Sequence, residues 1–385
     1  MTLTDKTPLV RFDWSRTSAT TLAGVEETAS EWDRLNGLRM NLPFMSATAM
    51  GAALAAFGSG DERLFVCRVG DQVVAMFLLV PQGRWRWATF QPSQIPLGAW
   101  VADPSLNVEA LARSLVKGPL RACLALSITQ IDPLAAPRTT DTPNTQHSDY
   151  VDTAWIDVKG SFADYWAARG KNLRQNLRKQ RNKLATDGVQ TRKQLLTEPH
   201  QMAPALARYG ALESSGWKAD KGTSIHPDNA QGRFYTQLFV DAATRGEAVI
   251  YEYLFNDRTV AMNLGLLRDG VLVVLKTTYD ESIKLFSPAS LLREEELQDF
   301  FTDGRVRRIE YFGSVMDWHT KLTDDKRSLH HLTLYRWPFL KRLAESRRAA
   351  KAQTANASPP ATATAPAPAS LSAVASAPEP ASQPN

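Results

Sequence analysis

Cysteine is nearly missing from this chain: Cys67 and Cys123 are the only two in 385 residues. Both stand inside apolar runs, LFVCRV and ACLALSI, where a thiol behaves as a small buried hydrophobe. That usage excludes a disulfide framework and a cysteine-based metal site. Long apolar runs are missing as well. The longest, residues 73–80, is far shorter than the roughly 20 residues that cross a bilayer. The first residues, MTLTDKTPLVRFDWSR, lack the hydrophobic segment of a secretory signal. A soluble cytoplasmic protein with no membrane span is expected. Three catalytic signatures are also absent: the nucleophile elbow, the phosphate-binding P-loop and the dinucleotide fingerprint. Covalent-serine and nucleotide-dependent mechanisms are thereby set aside. His330 and His331 are adjacent in a predicted strand and so face opposite sides, which argues against a joint metal site; no metal is expected.

Charge is scarce at the C-terminal end. Residues 351–385 are mostly Ala, Pro, Ser and Thr, and only Lys351 and Glu379 are charged. Such a segment buries too little apolar surface to offset its ordering entropy, so a disordered tail is expected. The remaining length predicts about two domains: residues 1–150 including a linker at 132–149 rich in Pro, Thr and Asp, and residues 151–350.

What the chain does have is concentrated in residues 247–309. Three apolar runs, EAVIYEYLF, RTVAMNLGLL and VLVVLKTTYD, are separated by Asn256-Asp257 and Asp269-Gly270. These dipeptides favour the positive φ of two-residue hairpin turns, so the runs form an antiparallel meander. The third run opens with an unbroken apolar stretch at 271–275, the mark of a central strand covered on both faces. Ser287 and Pro288 then read as a helix start, with Ser287 as N-cap. Leu291, Leu292, Glu295, Leu297, Phe300 and Phe301 carry the helix to Gly304, and a strand follows at 307–311. The order is strand, strand, strand, helix, strand.

The first domain predicts helices at 22–38 and 46–57, strands at 63–69, 72–80 and 84–90, a helix at 105–117 and a strand at 121–128. This repeats the plan of the later stretch, although no sequence repeat is visible. The second domain opens with a strand at 152–158. A helix follows that carries seven basic residues between Arg169 and Lys183 and no acid. Leu173, Leu177 and Leu184 share one face, with Arg174, Arg178 and Arg181 beside it. That stripe is a solvated face, a pocket wall for an anionic ligand, or a nucleic-acid surface. Another basic helix closes the domain at 336–348.

The order of elements in 247–309 resembles the core of the GNAT acyltransferases. In that superfamily the strands before and after the helix splay apart, acyl-CoA lies between them, and the helix N-terminus holds the pyrophosphate, as helix ends allow. The usual superfamily turn is Gln/Arg-x-x-Gly-x-Gly/Ala. Here it reads Lys284-Leu285-Phe286-Ser287-Pro288-Ala289-Ser290-Leu291-Leu292. This is more similar to the turn of the CelD-like proteins linked to cellulose biosynthesis, roughly Tyr-Ser-Pro-Gly-x-x-Leu, with Ala289 at the glycine position. The basic helix and Trp217-Lys218 also match features of that family, so the resemblance spans about 162–317.

The resemblance implies an α/β fold of two GNAT-like halves, each a mixed, mainly antiparallel sheet flanked by helices. It implies acetyl-CoA or another acyl-CoA as donor and a small-molecule or glycan amine or hydroxyl as acceptor. Ser287, Pro288, Ala289, Ser290 and Leu291 would hold the donor, with Arg174 and Arg178 near its phosphates. Lys276, Tyr279 and Asp280, at the mouth of the central strand, are either catalytic or ordinary strand-end residues. Trp217, Lys218, Asp317 and Lys321 are candidates for acceptor binding, Trp217 being a core residue otherwise. Two further readings stay open: a Fem-type transferase, which shares the duplicated fold but uses aminoacyl-tRNA, and a non-catalytic module that binds nucleic acid or an anionic polymer.

One test follows from composition alone. Deletion of residues 351–385 is expected to leave the thermal midpoint unchanged, because the segment has no apolar face to dock. A calorimetric scan showing a drop of several degrees would contradict this.

Overall fold

The computed structural model describes residues 11–214 and 225–357, with side chains to residue 350. The strands are β1 (Asp13–Ser18), β2 (Arg63–Val69), β3 (Gln72–Pro81), β4 (Arg86–Thr89), β5 (Trp100–Ala102), β6 (Ala125–Ile131), β7 (Thr145–Asp157), β8 (Thr191–Leu196), β9 (Ala248–Phe255), β10 (Arg258–Arg268), β11 (Val271–Tyr279), β12 (Arg308–Glu310) and β13 (Lys326–Tyr335). The helices are α1 (Thr21–Gly24), α2 (Glu26–Arg39), α3 (Ala47–Phe57), α4 (Val108–Lys117), α5 (Phe162–Ala167), α6 (Lys171–Thr186), α7 (Pro199–Ser214), α8 (Ala230–Thr244), α9 (Pro288–Asp303), α10 (Asp317–Thr320) and α11 (Pro338–Ala357).

All the strands join one sheet in the order β1-β2-β3-β4-β6-β13-β7-β12-β11-β10-β9-β8, with β5 added beside β3. Each half repeats one plan: an antiparallel meander, a helical crossover, and a strand parallel to the meander's last. In the first half the parallel pair is β4 with β6, and in the second β11 with β12. The fold is therefore mixed α/β, consistent with two GNAT-like halves.

The meander turns behave as their residues require. Asn256 (φ 55°), Asp269 (φ 48°) and Gly270 (φ 74°) are left-handed, and they close two-residue loops between Phe255 and Arg258 and between Arg268 and Val271. Ser46 caps α3 by accepting from the Ala49 N–H. Elsewhere the structure departs from the sequence reading. The expected 22–38 helix breaks at Val25, which is extended (φ −124°) and largely exposed. β7 starts at Thr145, inside the stretch read as a linker, because its first residues pair with β13. β13 comes from the end of the chain yet lies between β6 and β7, a non-local pairing that periodicity does not reveal. α11 continues through Ala357, into the stretch read as tail.

Helices α1–α3, α7 and α8 cover one face of the sheet and share a single apolar core that crosses both halves. Phe57 meets Phe234 there at 5.3 Å, and Phe44 meets Phe312 at 5.4 Å. The other face carries two separate cores, one under α4 and one under α6 and α9.

At the seam, buried charges join the halves. Arg327 of β13 lies 2.5 Å from Asp132 and 2.9 Å from Glu310 of β12. Arg308 reaches Glu310 at 2.5 Å and Asp157 of β7 at 3.4 Å. The Asp132 side chain is 0% exposed and that of Arg327 7%. Removing one partner from such a group strands a buried charge. Arg327→Met is expected to cost about 3–5 kcal/mol in urea denaturation, and adding Asp132→Leu should recover a large part of it. A loss as small as that of an exposed ion pair would show that the seam does not depend on this group.

Candidate functional site

β11 and β12 hydrogen-bond over three residue pairs only, Val271–Val273 against Arg308–Glu310. Beyond that point β11 runs on to Tyr279 paired with β10 only, while the chain after β12 turns toward β7, where the Tyr311 N–H donates to the Ala154 carbonyl. The strands part, and a cleft of about 480 Å3 opens between them. One wall is β11 from Val274 to Tyr279. The opposite wall is the segment Tyr311, Gly313, Ser314 and Met316–His319. The start of α9 lies across one end, and Glu213 of α7 lies at another. Gln94 and Pro96 of the first half reach in from a loop. That loop fills the equivalent gap of the first half. A Cβ at Gly98 would stand 2.4 Å from the Thr129 carbonyl and 2.6 Å from Thr89 Oγ1, so only glycine lets the backbone approach this closely.

The cleft gathers many of the expected residues. Lys276, Tyr279, Ser287, Pro288, Ala289, Ser290, Asp317 and Lys321 all line it. Lys276 Nζ lies 3.2 Å from the Glu213 carboxylate, over the rings of Tyr209 and Tyr235. Burial, followed by the charge of Glu281, raises the Tyr279 pKa, so the phenol stays protonated at neutral pH. Asp317 and Lys321 are exposed at the mouth.

Other candidates lie elsewhere. Asp280 is buried, pairs with Arg258 and accepts from the Ser282 N–H and hydroxyl at 2.9 and 2.6 Å, shaping the turn after β11. Leu291 is fully buried in the core beneath α9. Arg174 and Arg178 are on α6, outside the cleft lining. Arg174 donates to the Arg169 carbonyl, and Arg178 is exposed. Arg181 of the same stripe binds Glu294 and Glu295 of α9, each at 2.7 Å. Trp217 and Lys218 fall outside the described residues.

The helix start differs from the sequence reading in one respect. Ser287 is left-handed (φ 53°, ψ 46°) and its side chain does not cap α9. Its hydroxyl instead accepts from Asn176 of α6 at 3.4 Å. The N–H groups of Ser290 and Leu291 both donate to the Ser287 carbonyl, and Pro288 has no N–H. The Ala289 N–H is left as the open donor of this turn, at the positive end of the helix dipole.

Several cleft residues escaped the sequence reading. His319 is buried, stacks on Trp318 at 3.5 Å and accepts from the Met316 N–H at Nδ1, 3.0 Å. Its proton is therefore on Nε2. Burial and the nearby Arg293 charge push its pKa down to about 3, so the ring is neutral. Arg293, one helical turn beyond the start of α9, lines the cleft and lies over the Trp318 ring at 3.8 Å. Glu296 lines a small inner void shared with Arg293, Thr277 and Tyr311. Asn263 Nδ2 donates to both Glu296 oxygens at 2.8 Å. No sequence signal marked these residues, because Arg-Glu-Glu-Glu at 293–296 reads as a solvated helix face. Among the described residues, no group of three or more His, Cys, Asp or Glu side chains is placed to hold a metal ion, and no helix is long and apolar enough to cross a membrane.

Residues 171–350 match the family described as the acetyltransferase (GNAT) domain. No curated protein matches the chain. Among solved structures, FemX superposes with a TM-score of 0.52 at 10% identity, covering 82% of this chain and 98% of that one. A tandem GNAT protein from the clavulanic acid biosynthesis pathway gives a TM-score of 0.43 at 14% identity over 84% and 98%. L-PGS from Bacillus licheniformis gives 0.44 at 14% over 80% and 91%. The match to the GNAT domain thus lies in the second half of the chain, and the fold as a whole is similar to that of FemX.

Burial raises the Glu296 pKa from the ordinary 4.5 to about 7, against the opposing hydrogen bonds from Asn263. The folded chain thus holds a proton that the unfolded chain releases between those values, so stability falls as pH rises through that window. The full shift corresponds to about 3 kcal/mol. In Glu296→Gln, the urea midpoint at pH 5 minus that at pH 8 should be smaller than in the wild type, since the variant loses the contribution that favours low pH while the opposing neutral histidines remain. An unchanged gap would assign the pH dependence to other groups.

Proposed function

We propose that this GNAT-fold chain transfers an acyl group from acyl-CoA to an amine or hydroxyl acceptor in the cleft between β11 and β12. The observation that carries this reading is the coincidence of three features at one opening: the splayed parallel pair, the left-handed turn at Ser287 and the start of α9. A helix N-terminus with an open N–H favours an anion such as the donor pyrophosphate, and Ala289 is small enough to let it approach.

Transfer needs orientation, a charge facing the developing oxyanion and a route for the proton. The acceptor lone pair forms a bond to the thioester carbon. The carbon–sulfur bond then breaks, and sulfur leaves with its electrons. Tyr279, held protonated, is placed to give a proton to the departing thiolate. Lys276, steadied by Glu213, supplies positive charge on the β11 wall. Asp317 at the mouth takes the proton released by the acceptor, with Lys321 beside it. The likeness of the turn to that of the CelD-like proteins supports an acceptor from polysaccharide or cell-envelope metabolism. A second reading, aminoacyl transfer from tRNA in the manner of Fem-type enzymes, is favoured by the exposed Arg178 and Lys179 on α6 and by the single open N–H at the start of α9.

Ala289→Glu separates them. A helix start tolerates the carboxylate, so the fold should survive while donor binding fails. Calorimetric titration of acetyl-CoA is expected to show binding to the wild type and a loss of at least about tenfold in the variant, as repulsion at an anion site predicts. Equal binding by both would move the donor site elsewhere. No binding to the wild type would overturn the acyl-CoA reading in favour of tRNA, whose binding should weaken steeply with salt.

A further inference from the structure

Several enclosed arginines of this chain are matched with carboxylates: Arg181 with Glu294 and Glu295, Arg268 with Glu247, Arg308 with Glu310, and Arg327 with Asp132. Arg39 has no carboxylate but donates to the Trp100 carbonyl. Arg293 has neither. It makes no hydrogen bond or ion pair with any described residue, and its Nε is buried without an acceptor. Glu296, whose charge acts on it, is held by Asn263 instead. An unpaired guanidinium enclosed in protein is costly, and it sits at the inner end of the cleft, between the main space and the small void behind it.

Its surroundings are arranged for a planar anion. Trp318 covers the flat face of the guanidinium at 3.8 Å, which leaves the N–H groups along its edge to meet a ligand. The edge of Tyr311 packs against both Trp318 and His319, at 5.2 and 4.7 Å. Tyr311 is kept protonated by burial, and neutral His319 carries its proton on Nε2, so hydroxyl and imidazole donors flank the charge. The guanidinium fork matches a carboxylate with two parallel hydrogen bonds.

We propose that the floor of the cleft is a carboxylate site anchored by Arg293, so that the acyl group or the acceptor bears a free carboxylate. This rests on the cleft being the transfer site proposed above, and it adds the chemical class of the substrate.

The Nε–H resonance of Arg293 reads the site directly by NMR, assigned by its loss in Arg293→Lys. Succinate should shift it in a saturable way, and succinamide, of the same shape without charge, should not. No shift with succinate would overturn the proposal. So would a shift produced by pyrophosphate at lower concentration than by succinate, since Arg293 would then belong with the donor phosphates. Calorimetry with acetyl-CoA and succinyl-CoA locates the carboxylate. Tighter binding of succinyl-CoA by about tenfold or more, abolished in Arg293→Met, places it on the acyl group, as expected for a charge-assisted pair. Equal binding of the two thioesters, with the succinate shift retained, places it on the acceptor. If neither thioester binds, the acyl-CoA reading fails on its own, and the succinate titration still decides the floor.

Discussion

The site exists because a parallel strand pair stops early. Three residue pairs hold β11 to β12, after which the chain turns away at Phe312, a non-glycine residue in the left-handed region (φ 50°). That conformation is strained by roughly 1–3 kcal/mol and persists only where the surroundings impose it. Phe312 is 1% exposed and its ring meets Phe44 of the first half edge-on, so the shared core holds the turn. The opening in the second half is thus maintained by packing against the first.

The same dependence appears across the sheet. β13 is the last strand among the described residues, yet it sits between β6 and β7 and extends the first half's sheet toward the second. The Asp132–Arg327–Glu310–Arg308 group lies where these strands meet. Such a buried group adds less stability than apolar packing of the same volume, but its matched charges disfavour other strand pairings, as its members come from three separate segments, the loop after β6, β12 and β13. The first half also lends Gln94 and Pro96 to the cleft from the loop that seals its own gap. One half carries the opening, and the other limits its size and lining.

Within the cleft, chemistry follows from burial more than from residue type. Lys276 is paired, Tyr279 and Tyr311 stay protonated, His319 is neutral, Glu296 titrates near neutrality and Arg293 is charged without a partner. The wall is therefore rich in hydrogen-bond donors and in positive charge, an environment suited to anionic groups on substrates and to charge that develops during transfer.

The sequence alone determined the meander, its turns and the helix that follows, since these rest on local features: Asn256, Asp269 and Gly270 accept left-handed backbone, Pro288 starts a helix and Gly304 (φ 68°) ends it. From that order came the placement of Ser287–Ser290 beside Lys276 and Tyr279. Tertiary structure decided the rest. Asp280 points into a turn and pairs with Arg258, which no spacing foretells. Arg293 and Glu296 look like surface charges in the sequence and lie inside, because α9 packs a charged stretch against the splayed strands. The position of β13 depends on pairing between residues about 180 apart in the chain, as His331 with Ser148, and such contacts leave no periodic trace in either segment. Local propensity sets what each segment becomes. Which side chains meet in the cleft depends on where the chain returns, and that was settled only by packing the two halves together.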